Sequence, residues 1–136
     1  MPAPRRTETA TATVPGVAAI VFHITTRAAW EEAQARGWYE DPSLESEGFI
    51  HCSDLDQVAG SADAHFAGVP DLVLLCVAVD RLEAPLRYEY SADGRGDFPH
   101  LYGRLNPDAV LEAVPLPEGD GGFAVPAAAA RLPDSR

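Results

Sequence analysis

Asp71-Leu72-Val73-Leu74-Leu75-Cys76-Val77-Ala78-Val79-Asp80 is a near-continuous apolar run closed at both ends by aspartate. A strand with one wet face alternates apolar and polar residues; this one offers water no face, the pattern of a central strand covered on both sides. Upstream, Val17 to Ile24 reads as a first strand. Downstream, Leu86 to Tyr90 and Phe98 to Tyr102 read as strands around the Gly/Asp-rich loop Asp93 to Asp97, followed by Ala109 to Val114 and Phe123 to Val125. Early helices followed by many short strands make the chain α+β.

Thr26 is placed to N-cap a helix over Arg27 to Arg36, with Gly37 as its stop and Trp30 and Ala33 facing the core. Asp41-Pro42-Ser43 carries a turn signal, and Gly48 to Cys52 a short second strand. Ser53 then caps a second helix whose apolar stripe is Leu55, Val58, Ala59, Ala62 and Phe66, with His65 at its boundary and Gly68 beyond its end. The domain organisation expected is a loose arm over 1–16, one domain over 17–126 and a tail over 127–136.

Two histidines break apolar strands in the same way. In Phe22-His23-Ile24-Thr25 and Ile50-His51-Cys52-Ser53 the imidazole is followed two residues later by a hydroxyl. Alternation puts His23 with Thr25 on one face, and His51 with Ser53 on another. A buried imidazole costs free energy unless its nitrogens find partners, so the repeated pattern predicts a polar cleft that His23 and His51 share. Farther on, Glu89 lies on a strand, and His100 and Tyr102 follow Pro99 in a stretch that packing alone does not explain. No H-x-H, HExxH or Cys/His cluster supports a metal site. Adjacent strand positions point His51 and Cys52 to opposite faces, which argues against a Cys–His nucleophile. Ser53 faces His51 better, but capping is its simpler role.

A formal net charge of -11 repels duplex nucleic acid and anionic membrane surfaces, while leaving room for a small anion in a local nest. No apolar run is long enough to span a bilayer. The two cysteines lie in apolar runs and read as buried thiols, which fits a reducing cytoplasm.

The order Phe22-His23-Ile24-Thr25, Trp30, Glu47-Gly48-Phe49-Ile50-His51-Cys52-Ser53, Asp71 to Leu75 and Phe98-Pro99-His100-Leu101-Tyr102-Gly103 resembles a family of short bacterial proteins known as domain of unknown function 952, from about Ile20 to Val125. More distantly, the succession of a Tyr-His-Gly-Thr-like strand, a His-x-Ser strand leading into a helix, and an apolar strand ending in Asp is similar to RNA 2′-phosphotransferases and ADP-ribosyltransferases. That resemblance implies a split, strongly bent, mixed or antiparallel sheet with two early helices. It also implies NAD as the candidate cofactor. His23 would hold the ribose, the His51-Cys52-Ser53 motif would clamp the nicotinamide end, and a late-strand acid would orient the reacting ribose hydroxyl. Glu89 is the nominee for that acid and His100 its rival. Ile24 stands where the family has a small glycine, which departs from the usual nicotinamide pose.

The leading expectation is an ADP-ribosyltransferase-like enzyme acting on NAD or a nucleotide-like ligand. Glu89, His100 and His51 are its catalytic candidates, and His23, Thr25, His51, Ser53 and Tyr102 its ligand-binding ones. The alternatives are a cofactor-independent enzyme using histidine acid–base chemistry on another small metabolite, and a ligand-binding module without turnover.

Overall fold

In the computed structural model, which describes residues 19–91 and 94–132, the apolar run forms β3 (Leu72–Ala78), buried at every position. It lies between β1 (Ile20–Thr26) and β6 (Val110–Pro115), antiparallel to both, with Phe22 opposite Cys76 and Leu74 opposite Val114. Each face of this sheet meets its own core. Ile20, Phe22, Leu72 and Leu74 pack with Val58, Ala62 and Phe123, while Val21, Val73 and Leu75 pack with Trp30, Tyr39, Ile50 and Leu101. Coverage on both sides is why the run needs no polar position.

A second three-stranded antiparallel sheet has the order β2 (Ile50–His51), β5 (Asp97–Leu101), β4 (Leu86–Tyr90). The sheets are joined where Phe22 and Ser53 exchange backbone hydrogen bonds of 2.8 and 2.7 Å. The strands thus form two antiparallel sheets, with no parallel pairing between named strands, in an α+β domain as the sequence pattern predicts.

Helix α1 (Arg27–Arg36) has the caps read for it: Thr26 Oγ1 accepts from Ala29 N–H, and Gly37 closes the helix at φ 98°. Other local expectations are corrected. Asp41 does not open a bare turn; it N-caps a short helix α2 (Pro42–Ser46), accepting from Ser43 N–H. Ser53 does not cap the next helix. The cap is the neighbouring Asp54, which forms a capping box with Gln57 at the start of a 3-10 turn (Leu55–Gln57) leading into α3 (Val58–His65). Phe66 falls just past the helix end and is half-buried rather than enclosed.

Phe123 to Val125 is not a strand. Gly119 and Gly122 pinch together, and Phe123 N–H donates to Asp63 at 2.8 Å, which seats the buried ring. Gly122 has φ +110°, and a Cβ there would stand 2.7 Å from Asp63 Oδ1, so this turn requires glycine. Ala127–Ala130 forms α4 with Ala129 fully buried, so ordered packing runs into the stretch read as a tail. The arm at 1–16, the first two residues of the expected first strand, Asp93 in the loop and the last four residues lie outside the described residues.

Candidate functional site

The structure sorts the candidate residues into two clusters and leaves Ser53 apart from both. The first is interior. His23 is only 4% exposed, on the β1 face that meets Tyr39 and Trp30. Its Nδ1 donates to the His51 carbonyl at 2.6 Å, and its Nε2 lies 2.8 Å from the Tyr39 hydroxyl oxygen. That hydroxyl also bonds Thr25 Oγ1 and Asp41 Oδ1, both at 3.0 Å, and Asp41 Oδ1 stands 3.6 Å from His23 Nε2. Burial alone would raise the Asp41 carboxyl, but the hydrogen bond and charge of His23 and the bonds from Ser43 outweigh it. The group sits well below the usual carboxylate range.

The shared cleft expected for His23 and His51 is corrected here: the contact runs through the His51 backbone, while the His23 ring is enclosed in a polar network. Thr25 belongs to that network. Ser53 is separate again, buried and bonded to Ser61 at 3.1 Å. Cys52 is buried beside the network, its thiol pushed up to about 12 by burial and then by the charge of Asp41, which leaves it unsuited to nucleophilic work.

The second cluster lies on the outer face of the second sheet. His51 stands directly opposite His100 in the β2–β5 pairing, and His100 opposite Arg87 in β4–β5. Glu89, two residues beyond Arg87, shares that face. His100 Nδ1 donates to Glu89 Oε1 at 2.8 Å, and the Tyr102 hydroxyl donates to the same oxygen at 2.5 Å. These two donors, Tyr102 first and His100 second, hold the Glu89 carboxyl below its ordinary range, and Glu89 in turn raises Tyr102. Both bonds end on Oε1, leaving Oε2 on a side chain that is 38% exposed.

His51 is 53% exposed, with Nε2 at 3.1 Å from both Glu47 oxygens. Phe49 lies flat on His100, with centroids 4.0 Å apart and planes 15° apart, and meets the edge of His51 at 4.8 Å. The stacked ring accounts for the near-complete burial of His100, which is 6% exposed. The Arg87 guanidinium stands over the Tyr102 ring at 5.2 Å.

Glu89, His100, His51 and Tyr102 are thus brought together, and His23, Thr25 and Ser53 are not among them. Sequence reasoning missed Glu47, Phe49, Tyr39 and Asp41. Glu47 and Phe49 flank His51 in the quoted motif, and Tyr39 sits in Trp38-Tyr39-Glu40-Asp41, an aromatic pair beside two acids. A shallow depression of about 410 Å³, lined by Arg27, Val69, Pro70, Asp71 and Pro117 among others, shares no residue with either cluster and holds no comparable chemistry. Among the described residues no group of three or more His, Cys, Asp or Glu is arranged to hold a metal ion, and no helix is long and apolar enough to cross a membrane.

Residues 24–113 match the model of a family described as "Protein of unknown function (DUF952)". The crystal structure of protein CC0527 from Caulobacter crescentus is similar at 34% identity and a TM-score of 0.73, over 82% of this chain and 98% of that one. The solution NMR structure of the same protein gives 33% and 0.68, over 85% and 97%. No curated protein matches the sequence significantly. The matched span runs from the middle of β1 into β6 and takes in the outer cluster and all of the interior one but His23, and on that span and the structural likeness the chain belongs to the DUF952 family.

Proposed function

We propose that the outer face of the second sheet is the active site of a small-molecule enzyme in which His51 moves a proton and Glu89 supplies a fixed negative charge. The observation that carries this reading is the convergence of His100 and Tyr102 on one oxygen of Glu89, beside an exposed histidine backed by Glu47. A carboxylate held below its usual range is a weak base but a reliable anion. It favours a transition state that gains positive charge and contributes little to one that does not. Proton transfer near neutral pH falls to the imidazole. His100, covered by Phe49, acts through Glu89 as a positioning residue, as does Tyr102.

The same fixed charge favours a second, more specific reading on an NAD-like ligand. Breaking the bond between ribose C1′ and nicotinamide builds positive charge on the sugar, which Glu89 would stabilise. The roles that the ADP-ribosyltransferase resemblance gives to His23 and Ser53, and the ligand-binding role expected of Thr25, have no support in their positions, because all three side chains are buried and bonded internally. An NAD ligand on this chain would be held by other groups, with Arg87 placed to meet a phosphate. Neither reading calls on a metal.

A thermal-shift screen of the full chain with NAD, ADP-ribose and a metabolite panel identifies a ligand by linkage. With a turned-over ligand, Glu89→Gln should lower kcat by about a hundredfold or more with little change in KM, the mark of an interaction made mainly in the transition state. His51→Gln should lower kcat by a comparable factor with little change in KM. Full turnover in both variants would overturn the proposal, and binding without turnover in any assay would favour a sensor.

A further inference from the structure

The interior cluster is not used by the reaction above, yet it touches it at one atom. Only a donor can face a carbonyl, so His23 Nδ1, 2.6 Å from the His51 oxygen, carries a proton. On the other side of the ring, Nε2 meets the Tyr39 oxygen at 2.8 Å. Tyr39 has one hydroxyl proton, and burial holds that hydroxyl well above its usual range, so it stays protonated. Asp41 is ionised on grounds independent of His23, since its other oxygen accepts from Ser43 N–H and its side chain is 27% exposed to water; 3.0 Å from Tyr39 it can only accept, so the Tyr39 proton is directed to it, with Thr25 Oγ1 as the other hydroxyl partner. That leaves no proton for Tyr39 to give Nε2; the contact exists only if Nε2 donates.

We infer that both ring nitrogens of His23 are protonated inside the protein, and that this buried imidazolium is the positioning residue for His51, gripping its carbonyl by a charge-assisted hydrogen bond. The positive charge is compensated by Asp41, 3.6 Å from Nε2, so the pair enters the interior nearly neutral overall. The groups that face the pair from the packed elements are Tyr39, Thr25, the His51 carbonyl, Cys52 and Ser43, whose N–H bonds Asp41, and none supplies a competing charge, since Cys52 stays a thiol at about 12. The grip matters because β2 has only two residues, Ile50 and His51, and so few ladder bonds of its own. A bond to an ionised donor is roughly twice as strong as a neutral one. Removing the charge should therefore loosen β2 without breaking it.

The protonation state stands by itself; the positioning role rests on the reading of His51 proposed above. Asp41→Asn separates the two. Asparagine caps a helix about as well as aspartate, so α2 is retained while the counter-charge is lost. Nitrogen-15 NMR of the histidine rings in the full chain at pH 7 should show both His23 nitrogens protonated in the wild type and one in Asp41→Asn. Amide exchange at Cys52, whose N–H bonds the Pro99 carbonyl, should then speed up by roughly fivefold to tenfold, with exchange in β3 unchanged. A single protonated nitrogen in the wild type would overturn the imidazolium, and two in the variant would overturn its dependence on the Asp41 counter-charge. Loss of the Nε2 proton with unchanged exchange at Cys52 would overturn the positioning role. All of these readouts are independent of any substrate, so a failed ligand screen would count against the proposed activity and leave this inference standing.

Discussion

Tyr39→Phe removes one oxygen and leaves the ring. Tyr39 is 2% exposed and packed among Trp30, Ile50 and Leu101, so the change forfeits almost no apolar burial. What it forfeits is the centre of three contacts, to His23 Nε2, Thr25 Oγ1 and Asp41 Oδ1. Asp41 keeps Ser43 and some water, so its loss is small. His23 and Thr25 are both nearly sealed, and each buried polar group left without a partner costs about 1–3 kcal/mol. The expected destabilisation is therefore about 2–6 kcal/mol. At roughly 4 °C per kcal/mol for a domain of this size, Tm should fall by about 8–24 °C. Thermal and urea unfolding followed by circular dichroism measure it, with an unchanged urea slope showing that the same fold is lost. Adding Thr25→Val to Tyr39→Phe should cost less than the two changes summed, because the second removes a group the first had orphaned. A Tm within about 2 °C of wild type would refute the reasoning, since it would mean that the hydroxyl is not what satisfies this interior.

Leu74→Ala, in the middle of β3 and fully buried, should cost about 2–5 kcal/mol in the same assay. Phe49→Ala should uncover the His100 ring and make it as reactive towards an acylating imidazole reagent as His51, whereas the wild type should be modified at His51 well before His100. Asp41 is held low in the folded protein, so its contribution to stability is present above the ordinary aspartate value near 4 and is lost as pH falls towards the depressed one. Acid denaturation below about pH 4 should accordingly be shallower in Asp41→Asn than in the wild type.

Much of the fold could be read residue by residue. The unbroken Leu72 to Ala78 run, the Thr26 and Gly37 caps and the Trp30 and Ala33 face depend on local spacing, and local spacing is what a sequence displays. The second helix is capped one residue later than the Ser53 hydroxyl suggests, and the reason is legible: Asp54 followed by Gln57 carries the reciprocal spacing of a capping box, and Ser53 followed by Asp56 does not. The histidines show a deeper limit. His23 and His51 have the same neighbourhood in the chain, but β1 lies in a sheet covered on both sides and β2 in a sheet with one open face. A period of two says which residues share a face, not whether that face meets water. Likewise, the grouping of His51, His100, Arg87 and Glu89 depends on the register between strands distant in sequence, which no single stretch encodes.

The chain weaves between its two sheets: β1 in the first, β2 in the second, β3 back in the first, β4 and β5 in the second, and β6 once more in the first. Neither sheet is a contiguous piece of polypeptide, and pairs such as Phe22 with Cys76 must close a long loop before any bond rewards them. Such topology folds slowly for its size. It also places a debt on synthesis, because β6 and the segment after it bring Val114, Leu116, Phe123 and Ala129, the residues that complete one core. Until they leave the ribosome, β3 presents a bare hydrophobic edge, and a nascent chain stalled before Val110 is the form of this protein that a chaperone would have to hold.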